Sequence, residues 1–174
     1  MRCFIALPCL KEIVDRLVEV QNKVKGFGSI KLVEPENIHL TLKFLGEVNE
    51  EDVEKIASKL AFLNERKKFE VKVKGLGVFP KLSHVNVIWA GVEEKEQITE
   101  LYDAVDNRLE KFGFPLDEKF HPHYTIARVK YLNDKEALVK IVANSQNADF
   151  GHYTQESVKL MASELSPKDH ATQR

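Results

Sequence analysis

The four residues His39-Leu40-Thr41-Leu42 return 84 positions later (123 − 39) as His123-Tyr124-Thr125-Ile126. No other feature of the chain limits its folding as tightly. Side chains of an extended strand alternate between its two faces, so the second and fourth residues of each copy turn apolar groups to one side. The His and Thr of each copy then share the other side. A strand that buries Leu40 and Leu42, or Tyr124 and Ile126, thereby presents an imidazole and a hydroxyl on its outer surface. Two such surfaces set opposite one another supply both a general acid and a general base.

His-x-Thr alone has little specificity, and it occurs again at His152-Tyr153-Thr154 and His170-Ala171-Thr172. Those two copies run on into Gln155 and Gln173, which break the apolar alternation. The first two lie inside the apolar runs Ile38 to Leu45 and Tyr124 to Val129. The repeat also reaches beyond the strands. Asn49 and Asn133 each stand eight residues after the motif Thr and open the acidic turns Glu50-Glu51-Asp52 and Asp134-Lys135-Glu136. Both asparagines read as helix N-caps, followed by carboxylates that the helix dipole favours. Strand, turn and helix start share one offset, which is the mark of an internal repeat.

The remaining elements follow from periodicity. Arg2 to Leu7 reads as a buried strand ended by Pro8, and Leu10, Ile13, Val14, Leu17 and Val24 as a helical stripe reaching about Lys25. A loop over Gly26 to Ser29, a short strand Ile30 to Val33 and a turn at Pro35 lead into the first His strand, which ends at Gly46. Val53, Ile56, Ala57 and Leu60 give the second helix a core face, and Phe69, Val71 and Val73 alternate with Glu70, Lys72 and Lys74 in a half-buried strand. The second half restates the order. A strand from His84 to Val92 puts Val85, Val87 and Trp89 on one face. Ile98, Leu101, Tyr102, Val105 and Leu109 line a helix closed by Gly113 and Pro115. After the second His strand come a helix around Leu138, Ile141 and Val142, a loop from Asn144 to Gly151, and a strand resting on Val158, Leu160 and Ala162.

This order, over about 1–80 and again over about 81–165, predicts a single bilobal α+β domain spanning 1–174. Antiparallel sheets related by a pseudo-twofold would carry helices on their outer faces and enclose a central cleft. The lobes need not be the sequence halves, because related sheets can exchange strands.

Composition matters mainly for what it excludes. With 43% hydrophobic and 30% charged residues the chain is built to fold. Its formal charge of −1 rules out binding through general basicity, so a polyanion must be held by a local site. Arg66-Lys67-Lys68 reads as a charged surface turn. Cys3 and Cys9 are too few for a disulfide scaffold and are expected as buried free thiols. No apolar run approaches the roughly 20 residues of a membrane helix, and Met1-Arg2-Cys3 opens directly into a strand. A soluble cytoplasmic protein with no membrane partner is the expectation.

Set across a cleft, His39 and His123 would act on an anion held by the hydroxyls of Thr41 and Thr125. Imidazole suits the task because its pKa near 6.5 lets one ring be neutral while the other is protonated. Phosphodiester hydrolysis needs that division: a base activates water and an acid protonates the departing oxygen. Arg128 could add a forked contact to phosphate. Strict alternation turns it away from the His123 face, so a bulge or a strand end is needed to bring it round. Lys43, on the His39 face, is a weaker candidate for the same role. His121-Pro122-His123 offers two imidazoles as a possible zinc pair, but no Cys, His-Glu-x-x-His helix or carboxylate cluster completes a site. No metal is expected. The pairs Gly26-x-Gly28 and Gly75-x-Gly77 are too short for a dinucleotide fingerprint, and no phosphate loop is present, so no cofactor is expected either.

At these residues the chain resembles the two-histidine (2H) phosphoesterases, and within them the RNA 2′,3′-cyclic phosphodiesterases, also called 2′-5′ RNA ligases. The likeness spans nearly the whole sequence. It rests on Arg2-Cys3-Phe4-Ile5-Ala6-Leu7, on Glu36 to Gly46 around the first motif, on Gly75-Leu76-Gly77-Val78-Phe79-Pro80, and on His123-Tyr124-Thr125-Ile126-Ala127-Arg128. It implies a bilobal fold with a metal-independent site that hydrolyses RNA terminal 2′,3′-cyclic phosphate to 2′-phosphate, with reversible 2′-5′ joining in some relatives. By position it implies His39 as proton donor to the leaving 3′ oxygen and His123 as proton acceptor from water. Thr41 and Thr125 would hold the non-bridging oxygens, and Arg128 matches a phosphate-binding arginine. The implied partners are RNA ends or nucleotides with a 2′,3′-cyclic phosphate, bound by a monomer. The chain departs from its relatives after Ser166-Pro167-Lys168, where Asp169 to Arg174 replaces a glycine and a final apolar strand. The alternative from another class is a non-catalytic RNA-binding module using the same cleft, with Phe4, Phe79 or Tyr131 as stacking surfaces.

Overall fold

In the computed structural model, residues 1–114 and 120–163 are described. Pro115, the atypical segment after Ser163 and the His170 triplet lie outside the described residues. Among the described residues eight strands and four α-helices follow one another as β1 (Arg2–Pro8), α1 (Lys11–Val24), β2 (Gly28–Leu32), β3 (His39–Glu47), α2 (Glu50–Ala61), β4 (Phe69–Lys81), β5 (His84–Val92), α3 (Glu96–Leu109), β6 (Tyr124–Leu132), α4 (Lys135–Asn144), β7 (Asp149–Gln155) and β8 (Lys159–Ser163). The architecture is α+β. Among the described residues no helix is long and apolar enough to cross a membrane.

Every strand pairing is antiparallel, and the strands join into one continuous sheet in the order β7-β4-β5-β6-β3-β1-β8, with β2 also on β6. Two lobes result, because the sheet narrows to a single bridge, Leu40 to Tyr124, between β3 and β6. Beyond that bridge β3 leaves the edge of β6 and β2 takes its place, pairing with it from Ala127 onward. The gap is closed by Gln21, a buried polar residue of α1 (2% exposed) whose Nε2 donates to Val33 O and Ile126 O, both at 2.8 Å. A buried amide needs such partners, and here the partners are the carbonyls that the parting strands leave behind.

The lobes are not the sequence halves. β4 pairs with β5, and β8 returns to β1. Helices cross over as well: α1 packs on β6 and β7, α4 on β4, and α2 on α3 and β8. Apolar stripes explain the helices. Ile13, Val14, Leu17, Val20 and Val24 of α1 are buried, as are Ile98, Leu101, Tyr102, Val105 and Leu109 of α3. Ala57 departs from its expected core position and is exposed, so α2 buries only Ile56 and Leu60.

Helix starts differ in detail from the repeat. Asn49 occupies the N-cap of α2, where its carbonyl accepts from Asp52 and Val53, but its side chain makes no capping bond. In the second copy the cap is Asp134 rather than Asn133, and its carboxylate accepts from Ala137 N at 3.1 Å. The N–H groups of Asn133 and Asp134 both donate to Phe27 O, which ties this turn to the loop before β2 and starts the helix one residue later. The loop expected from Asn144 to Gly151 is shorter than the pattern suggests, because the strand β7, which the pattern does not give, already begins at Asp149. In β7 the Tyr153 hydroxyl meets that of Tyr124 in the core at 2.6 Å, while His152 and Thr154 face outward.

Candidate active site

The bridge between β3 and β6 joins equivalent residues of the two motif copies, since Leu40 and Tyr124 are 84 positions apart (124 − 40). Antiparallel pairing of equivalent residues sets a local twofold through the bridge. Leu40 and Tyr124 are fully buried, so their neighbours turn the other way: His39, Thr41, His123 and Thr125 are all half-buried on the open face. The same register sets His39 beside Thr125, and Thr41 beside His123. The two imidazoles are then diagonal neighbours, a relation that spans about 7–8 Å in an antiparallel pair. One tetrahedral phosphate with its in-line oxygens fits such a span.

A bulge then decides which basic residue joins them. β5 pairs Trp89 with Thr125 but Ile88 with Ala127, so Ile126 is an extra residue in β6. Ile126 and Ala127 are both buried, the alternation shifts by one, and Arg128 comes out on the His123 face. Of a bulge and a strand end, it is a bulge that brings Arg128 round. Its displaced carbonyl, Ile126 O, is the one held by Gln21, while Val33 N donates to it at 2.9 Å.

The first motif carries the same irregularity, and there it removes a candidate. β1 pairs Ala6 with Thr41 but Ile5 with Lys43, which leaves Leu42 as the extra residue. Lys43 is turned into the interior, where its Nζ meets Asp106 Oδ1 of α3 at 2.7 Å, with the two side chains 2% and 13% exposed. It is a buried structural cation and not a phosphate contact. The position equivalent to Arg128 is Phe44, which is 70% exposed on the open side of β3.

The two imidazoles have different surroundings. His39 stacks on Phe4, ring centroids 5.0 Å apart, and Phe4 in turn lies 6.0 Å from Phe44. His123 sits among Phe79, Trp89 and His121, at 5.1, 6.1 and 5.9 Å. Its Nδ1 is 2.5 Å from the His121 carbonyl, an atom that can only accept. In the neutral ring Nδ1 therefore carries the proton and Nε2 the lone pair. Burial lowers the pKa of His123, the His121 carbonyl opposes that effect, and the Arg128 guanidinium lowers it further. The pKa of His39 is lowered by burial.

Trp89 stays on one face with Val87, half-buried like it, while the extra residue Asn86 turns Val85 away into the core. That face is the open one, and the indole finds room on it because its cross-strand partner is Gly77 and its neighbour two along is Gly91. A Cβ on Gly77 would overlap the indole, and one on Gly91 would stand 3.3 Å from it. The ring therefore lies flat on glycine backbone and supports His121 and His123. Two glycines flanking a tryptophan across and along a ladder are the signal that could have found it.

Among the described residues no three His, Cys, Asp or Glu side chains gather as metal ligands. Cys3 is buried, and Cys9 is half-buried with its thiol pushed up to about 12 by burial, so neither is poised as a nucleophile.

The chain is similar to known proteins in sequence and in fold. The family described as the AKAP7 2′5′ RNA ligase-like domain matches residues 2–171. The chain belongs to this family. The chain is also similar to the RNA 2′,3′-cyclic phosphodiesterase of Methanocaldococcus jannaschii, 35% identical over 96% of this chain and 94% of that protein. The protein of the same name from Thermotoga maritima is 41% identical over 78% of this chain and 73% of its own length. Among solved structures, TT0787 of Thermus thermophilus superimposes with a TM-score of 0.81 at 31% identity, covering 97% of this chain and 91% of that one. The family match takes in both His strands and both bulges, so the open face just described lies within the region that the family shares.

Proposed function

We propose that this chain is a metal-independent RNA 2′,3′-cyclic phosphodiesterase that works through His39 and His123. The observation that carries this reading is the bridge between Leu40 and Tyr124, which gathers two imidazoles and two hydroxyls on one face. The names of the relatives from Methanocaldococcus jannaschii and Thermotoga maritima support the substrate class. In the reaction, His123 Nε2 takes a proton from water as the water oxygen bonds to phosphorus. The bond from phosphorus to O3′ breaks, and protonated His39 gives its proton to that oxygen, leaving a 2′-phosphate. Thr41, Thr125 and Arg128 hold the non-bridging oxygens and balance the charge that develops on them. Phe44, with Phe4 behind it, offers a stacking surface for the terminal base. A 5′-hydroxyl in place of water would give the 2′-5′ joint by the same proton transfers.

The deciding assay is hydrolysis of a nucleoside 2′,3′-cyclic phosphate in the presence of EDTA, with the product identified by ³¹P NMR. Turnover to the 2′-phosphate is expected, at the same rate with and without chelator. Binding without turnover would favour a non-catalytic RNA-binding module, and turnover abolished by EDTA would require a metal.

The pH dependence has a definite sign. Burial disfavours each imidazolium, so both pKa values lie below 6.5 in the free protein. The base must be deprotonated and the acid protonated, so the bell of kcat/KM is centred below pH 6.5. A bound phosphate favours both imidazoliums, and the bell of kcat is displaced to higher pH. Arg128→Ala removes a cation that opposes protonation of His123, so the limb of the kcat/KM profile that belongs to His123 moves to higher pH. The same variant raises KM by about tenfold or more through loss of a charge-assisted contact. Identical profiles for wild type and Arg128→Ala would place the guanidinium away from the reacting phosphate.

A further inference from the structure

We propose that the open face of β5, β6 and β2 is the tract that carries the RNA chain upstream of the cyclic phosphate, where Lys31, Lys130 and Tyr131 continue from Arg128. This rests on the phosphodiesterase reading and adds to it an oligonucleotide, rather than a mononucleotide, as the preferred substrate. A 2′,3′-cyclic phosphate closes the 3′ end of an RNA, so the rest of the molecule can leave the site only in the 5′ direction.

Charge identifies the route. The chain as a whole has 27 acidic and 26 basic residues, yet β2 (GSIKL), β5 (HVNVIWAGV) and β6 (YTIARVKYL) contain no Asp or Glu. The nearest carboxylates in sequence are Glu93, directly after β5 at the end away from Arg128, and Glu34 and Asp134 in the connections after β2 and β6. Lys31 stands directly opposite Arg128 on the adjacent strand, so a phosphate lying across the two strands meets two cations at once. The second irregularity of β6 makes Lys130 its extra residue, since Ile30 pairs with Val129 and Ser29 with Tyr131. Val129 is buried and Ile30 packs against the core, which sends Tyr131 to the open face, where it is 57% exposed. A cationic strip ending in an exposed aromatic ring is the chemistry of a single-stranded nucleic-acid groove, with lysines for the backbone and a ring for a base.

Length fits as well. From Thr125 to Tyr131 the strand runs roughly 20 Å, enough for up to about six stacked nucleotides at about 3.4 Å each. The opposite exit, along β4, is less suited. It leads to a cavity of about 270 Å³ where Lys72 and Lys74 are joined by Glu93 and Asp149, whose carboxylates repel phosphate.

The test compares two substrates, a nucleoside 2′,3′-cyclic phosphate and an octanucleotide with the same terminus, on wild type and on Lys31→Ala/Lys130→Ala/Tyr131→Ala. All three side chains are exposed, so the variant should fold. Its KM for the octanucleotide is expected to rise at least about tenfold, with kcat and the nucleoside parameters within about twofold of wild type. The dependence of log KM on log salt for the octanucleotide should lose about 0.7 per lysine removed. Equal octanucleotide KM for the two proteins overturns the tract. Should wild type turn over neither substrate, the catalytic reading fails separately. The tract is then decided by titration with a fluorescein-labelled octanucleotide 2′-phosphate, where equal Kd values would overturn it.

Discussion

Alanine at His39 or at His123 is expected to lower kcat for cyclic-phosphate hydrolysis at least about 10²-fold, because general acid and general base catalysis each contribute about 10²–10⁴-fold. Both rings are half-buried on an open face rather than in a core, so each variant should keep its circular dichroism spectrum and unfold near the wild-type temperature. Two groups acting in one proton relay are not independent, and the double variant should fall far short of the product of the single losses. The roles separate by leaving group. A phosphodiester that expels p-nitrophenolate needs no proton on its departing oxygen. His39→Ala should therefore recover much of its rate on that substrate, and His123→Ala should not. The anchored Nδ1 of His123 points the same way, since it leaves Nε2 as the basic atom, whereas His39 is held by the ring of Phe4. A near-wild-type kcat in either alanine variant would sink the paired mechanism. Equal recovery of both on the activated substrate would leave the pair standing without this division of labour.

Period-two alternation makes much of this site legible without coordinates, because it requires only that Leu40 and Tyr124 be buried. Duplication supplies the rest of the frame, since equivalent strands related by a twofold can pair at equivalent residues. What the alternation cannot reveal is an extra residue in a ladder. Whether Ile126 or Leu42 is doubled against its partner depends on the neighbouring strand, a long-range fact with no local signature. The same device in the two copies has opposite consequences. It brings Arg128 into the site and takes Lys43 out of it, although both are cations at similar distances from a motif histidine. Trp89 is hidden for another reason: alternation groups it with Val85 and Val87 without telling which face is open, and only Gly77 and Gly91 reveal that it lies on backbone. β7 is faint because Gly151, His152 and Thr154 weaken its apolar pattern, as expected of a strand at the end of a sheet with one neighbour.

Removing the carboxylate of Asp106 should destabilise the fold by about 3–5 kcal/mol, the range found when one member of a buried ion pair is deleted and its partner charge stays inside. The bulge at Leu42 obliges Lys43 to face α3, and with 2% of its side chain exposed it cannot extend its ammonium to solvent without disturbing the strand that carries His39 and Thr41. Urea denaturation of Asp106→Ala would measure this loss directly. The comparison that assigns its cause is Lys43→Met/Asp106→Leu, which removes both charges and fills the space with apolar atoms. Buried pairs replaced in this way are often neutral or more stable, so the double variant should regain most of the deficit. Its kcat/KM should remain within about twofold of wild type, because Lys43 acts on the strand and not on the phosphate. A loss of catalysis in a stable double variant would return Lys43 to the substrate site. A deficit below about 1 kcal/mol for Asp106→Ala would mean that α3 is held by its apolar stripe alone, with the ion pair adding no more than an exposed salt bridge does.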